Sequence, residues 1–93
     1  MLERLKKVVR ITHDKLDDEI LDIIDVVKTD LRISGVKKVD DEDPLIYQAI
    51  KTYLKSEYET DTVKSEKLMF SYERLKEHLA LCGEYTEAIP NEK

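Results

Sequence analysis

The stretch DDEDPLIYQAIKTYLKSEY, residues 40–58, sets an acidic run against a proline and then spreads isoleucine, leucine, alanine and tyrosine around most of a helix. Asp43 is a capping residue, and Pro44 is tolerated at a first helical position because no amide hydrogen is needed there. The pair therefore predicts a helix that starts at this point and runs to about Tyr58. At helical spacing Ile46, Ala49, Ile50 and Tyr53 share one face, while Tyr47, Leu54 and Tyr58 lie a quarter-turn or more around. An apolar arc that wide belongs to a helix with neighbours on two sides, the central member of a small bundle.

The flanking segments supply those neighbours. Residues 2 to about 10 place Leu2, Leu5, Val8 and Val9 at helical spacing, with Arg4, Lys6, Lys7 and Arg10 elsewhere on the turn. Thr12 to Asp14 offers capping oxygens, and Asp17, Asp18 and Glu19 crowd a first turn, where the helix dipole favours negative charge. From there Leu16, Ile20, Ile23, Ile24, Val27 and Leu31 step by three and four to a stop near Ser34-Gly35. VKKVDDED, residues 36–43, is too short and too charged to pack and reads as a loop. ETDT, residues 59–62, separates the central helix from a fourth, in which Leu68, Tyr72, Leu75, Leu79 and Cys82 form one stripe before Gly83. EYTEAIPNEK, residues 84–93, reads as a loose tail, with little to bury and Pro90 against continuation. The expectation is an all-α fold, a small bundle of about four helices over residues 1–86, with a flexible, disordered C-terminal tail at 87–93.

Composition agrees and narrows the function. Ninety-three residues make one domain, and two glycines and two prolines in a chain that is 40 % charged favour helices over turns. Sixteen Lys and Arg against 21 Asp and Glu give a net charge of -5, so the surface as a whole is not built to neutralise phosphates. The one cysteine, Cys82, has no partner for an internal disulfide and fits a reducing compartment. The opening MLERLKKVVRI has charges every two or three residues, unlike a secretion signal, and no apolar run is long enough to span a bilayer.

Chemistry is thinly represented. His78 lies one helical turn from Cys82, but no third group or oxyanion loop accompanies them, so the pair reads as a core-edge cysteine beside an exposed histidine. The acidic runs 17–19 and 40–43 lack the alternating ligands and turn glycine of a calcium loop. Without a glycine-rich loop there is no phosphate cradle. No enzyme, metal or cofactor is expected.

The fourth helix carries the informative pattern. At about 100° per residue, Val63, Phe70 and Leu81 point almost opposite to the Leu68, Tyr72, Leu75, Leu79 stripe. A lone four-helix chain has too little material to cover both sides, which implies a second surface for protein contact. The candidate oligomer interface is Val63, Phe70 and Leu81, with Tyr47 and Tyr58 as further members.

The order MLERLKKVVRIT, DEILDIIDVVKTDL, DPLIYQAIKTYLKSEY and SYERLKEHLALCGEY resembles the head-tail connector family of tailed bacteriophages, also called DNA-packaging or adaptor proteins. The phrases DPL...AI..Y and SY..LK..L carry the likeness, which covers residues 1 to about 86. The chain departs from the pattern in having no tryptophan at the end of the third helix, only Tyr53 and Tyr58. The resemblance implies a non-enzymatic virion protein that assembles as a homo-oligomeric ring beneath the portal in the host bacterial cytoplasm. Its partners would be the portal and a tail-side or stopper protein, with DNA passing through unread and no membrane involved. Two other readings stand beside it: a small cytosolic helical module that docks a partner through the same apolar strip, and a nucleic-acid binder using Arg4, Lys6, Lys7 and Arg10.

Overall fold

A computed structural model describes residues 1–40 and 42–86 as five helices, with no strand among them. They are α1 (Leu2–Val8), α2 (Asp17–Ile33), α3 (Pro44–Tyr58), α4 (Thr62–Leu81) and the single turn α5 (Gly83–Thr86). The expected tail, residues 87–93, lies outside the described residues.

Helix α3 is the hub, packed against α1, α2 and α4. Its Ile46, Ala49, Ile50 and Leu54 are fully buried and meet Ile20, Val27 and Leu31 of α2, Leu5 of α1, and Tyr72 and Leu79 of α4 in one core. The wide apolar arc thus has the cause expected of it. Asp43 caps α3 by accepting hydrogen bonds from the amides of Leu45 (2.9 Å) and Ile46 (3.4 Å). Asp61 does the same for α4, accepting from Lys64 N at 3.1 Å. Ser65 Oγ of α4 donates to the Ser56 carbonyl of α3 at 2.9 Å, pinning the α3–α4 hairpin at its turn.

Helix α2 ends in a Schellman motif. The Val36 amide donates to the Leu31 carbonyl at 2.9 Å and the Gly35 amide to Arg32 at 3.0 Å, with Gly35 at φ 106° and Val36 and Leu31 both buried. Helix α1 ends the same way without a glycine: Ile11 N donates to Lys6 O at 2.9 Å, Arg10 N to Lys7 O at 3.2 Å, and Arg10 takes the left-handed position at φ 59°. A side chain there crowds the backbone. Arg10→Gly is therefore expected to raise stability by about 0.5–1 kcal/mol, read from the urea midpoint, relief of strain outweighing glycine's greater freedom when unfolded.

Three sequence expectations are corrected. VKKVDDED is a loop but does pack, since Val36 is fully buried and Val39 lies against the core. Thr12 to Asp14 does not cap α2; the helix begins at Asp17 behind Leu16 with no side-chain cap, and its three acidic residues complement the dipole instead. The loose tail expected from residue 84 does not begin there, because Glu84 to Thr86 belong to α5 and Tyr85 is buried. The Tyr85 carbonyl accepts from the amides of Lys37 (2.7 Å) and Lys38 (3.2 Å), and its hydroxyl donates to both Asp43 oxygens at 2.9 Å. One tyrosine thus ties α5 to the α2–α3 loop and to the cap of α3.

That knot is pH-sensitive. Burial pushes the Asp43 carboxyl up, but the hydrogen bonds from Tyr85, Leu45 and Ile46 outweigh it and hold the group below its ordinary value of 3.8. Burial and the same bond push Tyr85 up to about 12. Asp30 is likewise depressed, its burial outweighed by Tyr72 and Lys76. A depressed carboxyl contributes stability that is present above its unfolded value and lost as pH falls through the folded one. Urea midpoints are therefore expected to hold down to about pH 4 and to drop below it, with a shallower drop for Asp43→Asn, whose cap no longer titrates.

Candidate functional site

Helix α4 is twenty residues long, and its apolar residues do not gather on one side. Tyr72 and Leu79 are fully buried, and Met69 and Leu75 pack half-buried against the same core. The inner face is fixed by polar bonds as well. Tyr72 Oη donates to Asp30 Oδ2 of α2 at 2.6 Å, Lys76 Nζ donates to the same oxygen at 3.0 Å, and the Tyr72 and Tyr53 rings meet edge to face at 5.1 Å. Burial first, then the bond to Asp30, drives the Tyr72 hydroxyl far above its ordinary range, so it remains a donor at any physiological pH. The rotation of α4 about its axis is therefore set, and so is what faces away.

What faces away is the line Val63, Phe70 and Leu81, with relative exposures of 59 %, 62 % and 88 %. The smallest extent is 18 Å, about two helix diameters, so among the described residues no third layer shelters it. The Arg74 guanidinium lies 5.7 Å from the Phe70 ring centre, a cation–π contact on an otherwise open side chain. Fully covering a side chain of this kind is worth roughly 1.5–3 kcal/mol. The geometry therefore suits protein contact.

Tyr47 and Tyr58, the other two residues expected at the interface, are half-buried and lean on the core. The Arg4 guanidinium covers the Tyr47 ring at 4.2 Å, and Lys51 approaches it at 5.7 Å. Tyr58 lines a shallow depression with Val8, Val9, Arg10, Lys55 and Lys64. The structure sets neither on the α4 line. It also engages half of the α1 basic patch in contacts of its own: Arg4, itself exposed, lies over Tyr47, and Lys6, which is buried, is 2.9 Å from Asp17 Oδ1. Lys7 and Arg10 of that patch stand exposed as well.

A second exposed apolar pair went unnoticed in the sequence. On α2, Val26 and Ile33 are 50 % and 79 % exposed and, with Asp25, Thr29 and Asp30, line an open depression on the face turned from the core. Their spacing of seven was the available signal, overshadowed by the stronger inward stripe of the same helix.

Among the described residues no group of three His, Cys, Asp or Glu side chains is placed to hold a metal ion, and no helix is long and apolar enough to cross a membrane. His78 is exposed and Cys82 half-buried against the core. No curated protein and no solved structure matches the chain. The model of a family described as phage connector protein does match, over residues 1–86, which takes in all five helices and both exposed apolar faces. The chain therefore belongs to the phage connector protein family.

Proposed function

We propose that this chain is a virion structural subunit that assembles as a homo-oligomeric ring beneath the portal and joins the head to the tail once DNA is packaged. The observation that carries the reading is the outward line Val63, Phe70 and Leu81 on a helix whose inner face is already committed, in a member of the connector family. A ring needs head-to-tail contacts, in which one surface of a subunit meets a different surface of the next. Contacts above and below would go to the portal and to a tail-side or stopper protein. Assembly would occur in the host bacterial cytoplasm and the product would reside in the virion.

The charge suits a conduit. With a net charge of -5, the subunit offers DNA little phosphate neutralisation, so the duplex can slide through the opening without being held or read. The test is mass by light scattering from micromolar to millimolar protein, with negative-stain images at the upper end. The expected result is a many-subunit species seen as closed rings. A chain that stays monomeric or dimeric throughout contradicts self-assembly and favours a module that docks one foreign helix.

A further inference from the structure

The ring reading leaves open what the α4 line meets on the next subunit. We propose that it meets the outer face of α2 of a second copy, with the two helices parallel and Phe70 seated in the depression between Val26 and Ile33. This rests on the ring reading and adds its second surface.

Three observations carry it. The first is shape: α4 projects Phe70 from an exposed ridge, while α2 presents an open depression lined by Asp25, Val26, Thr29, Asp30 and Ile33. A protruding apolar side chain and a separate apolar hollow on the same molecule make a heterologous contact, the kind that propagates around a ring. The second is charge. Lys67 and Arg74 are exposed on α4 about 25–45° to one side of its apolar line. Asp18, Asp22 and Asp25 are exposed on α2, about 30–90° to the opposite side of the Val26–Ile33 line. Two helices that face each other bring opposite angular sides together when they run parallel, so that orientation sets Lys67 against the Asp22 and Asp25 edge, whereas an antiparallel pair sets the exposed Glu66 and Glu77 of α4 against it.

The third is register. With Phe70 midway between Val26 and Ile33, Lys67 falls within about 2 Å of the level of Asp25, and Lys64 between the levels of Asp22 and Asp25, at a rise of about 1.5 Å per residue. The helices overlap from Val63 to just past Phe70 on α4 and from Asp22 to Ile33 on α2, and Leu81 reaches about 11 Å past Ile33, toward the loop that follows α2, at the same rise. Both faces turn away from the shared core, so a subunit can use one toward each neighbour.

The experiment is a mixing test on full-length protein, with helix content checked by circular dichroism. Phe70→Asp removes the ridge and leaves the α2 face; Ile33→Lys blocks the α2 face and leaves the ridge. Each alone should be monomeric, and an equimolar mixture should give a two-chain species and nothing larger, because only one productive contact remains. A charge exchange is the second arm: Asp25→Lys and Lys67→Glu should each weaken assembly at least tenfold, and the double variant should recover most of it. If Ile33→Lys assembles like the wild type while Phe70→Asp does not, the α2 docking falls and the α4 surface stands. If wild type never assembles, the ring reading itself falls; if Phe70→Asp assembles unchanged, the ring stands and the α4 surface falls, taking the α2 docking with it.

Discussion

Phe70→Asp is expected to leave the monomer folded and to abolish assembly. In the isolated chain the ring is 62 % exposed and its one aromatic interaction is with Arg74 at 5.7 Å. Aspartate at this position replaces that contact with an (i, i+4) acid–arginine pair of similar worth, about 0.5 kcal/mol, so the urea midpoint should move little. In the assembled state the same carboxylate would sit where an apolar ring is covered. An unpaired charge there costs several kcal/mol, which weakens each contact by about 100-fold or more. A closed ring makes that contact once per subunit, so the loss repeats around the circle. Light scattering should report a monomer with unchanged helical circular dichroism.

The second large effect separates two leucines that lie two residues apart. Leu79→Ala empties a fully buried site and should cost about 2–5 kcal/mol, in a domain whose total stability is on the order of 5–14 kcal/mol. Melting should fall by on the order of 10 °C or more. Leu81→Ala, at a site 88 % exposed, should leave the monomer's melting unchanged within about 0.5 kcal/mol. Its cost should appear only in assembly. If the two variants destabilise the monomer equally, α4 is buried on both sides and the surface described above does not exist.

Much of this was legible in the residue order because burial on a helix imposes a period. The stripe of α2 and the wide arc of α3 each predicted a packing relation that the core contains, with Ile20, Val27, Leu31, Ile46, Ile50 and Leu54 all fully buried. Asp43-Pro44 and Ser34-Gly35 marked ends because capping and positive φ restrict residue choice. The features that escaped depend on contacts distant in sequence. Tyr85 sits in a polar stretch, and nothing local reveals that its hydroxyl will meet Asp43, 42 residues away. Lys6 looked like part of a solvated basic face, but the turn after α1 brings it against Asp17 and buries it. Thr12 to Asp14 had capping chemistry without the geometry, since α2 starts three residues later. Arg10 occupies a left-handed position that its own side chain disfavours, so no residue rule would have found it.

The candidate surface divides in the same way. Val63, Phe70 and Leu81 could be found from angle alone, because three residues on one line contradict an inner stripe. Val26 and Ile33 could not, because two exposed apolar residues on a helix are ordinary until the hollow beside them is known.

The central claim is that α4 presents one apolar face to its own core and another to a neighbouring subunit. The direct measurement is hydroxyl-radical footprinting of the wild-type chain at low and high concentration, with modification quantified at Phe70, Leu81 and, as an internal reference, Tyr72. The account predicts that Phe70 and Leu81 react readily in dilute protein and are protected several-fold on assembly, while Tyr72 is protected at both concentrations. Equal reactivity of Phe70 and Leu81 in monomer and assembly would contradict it.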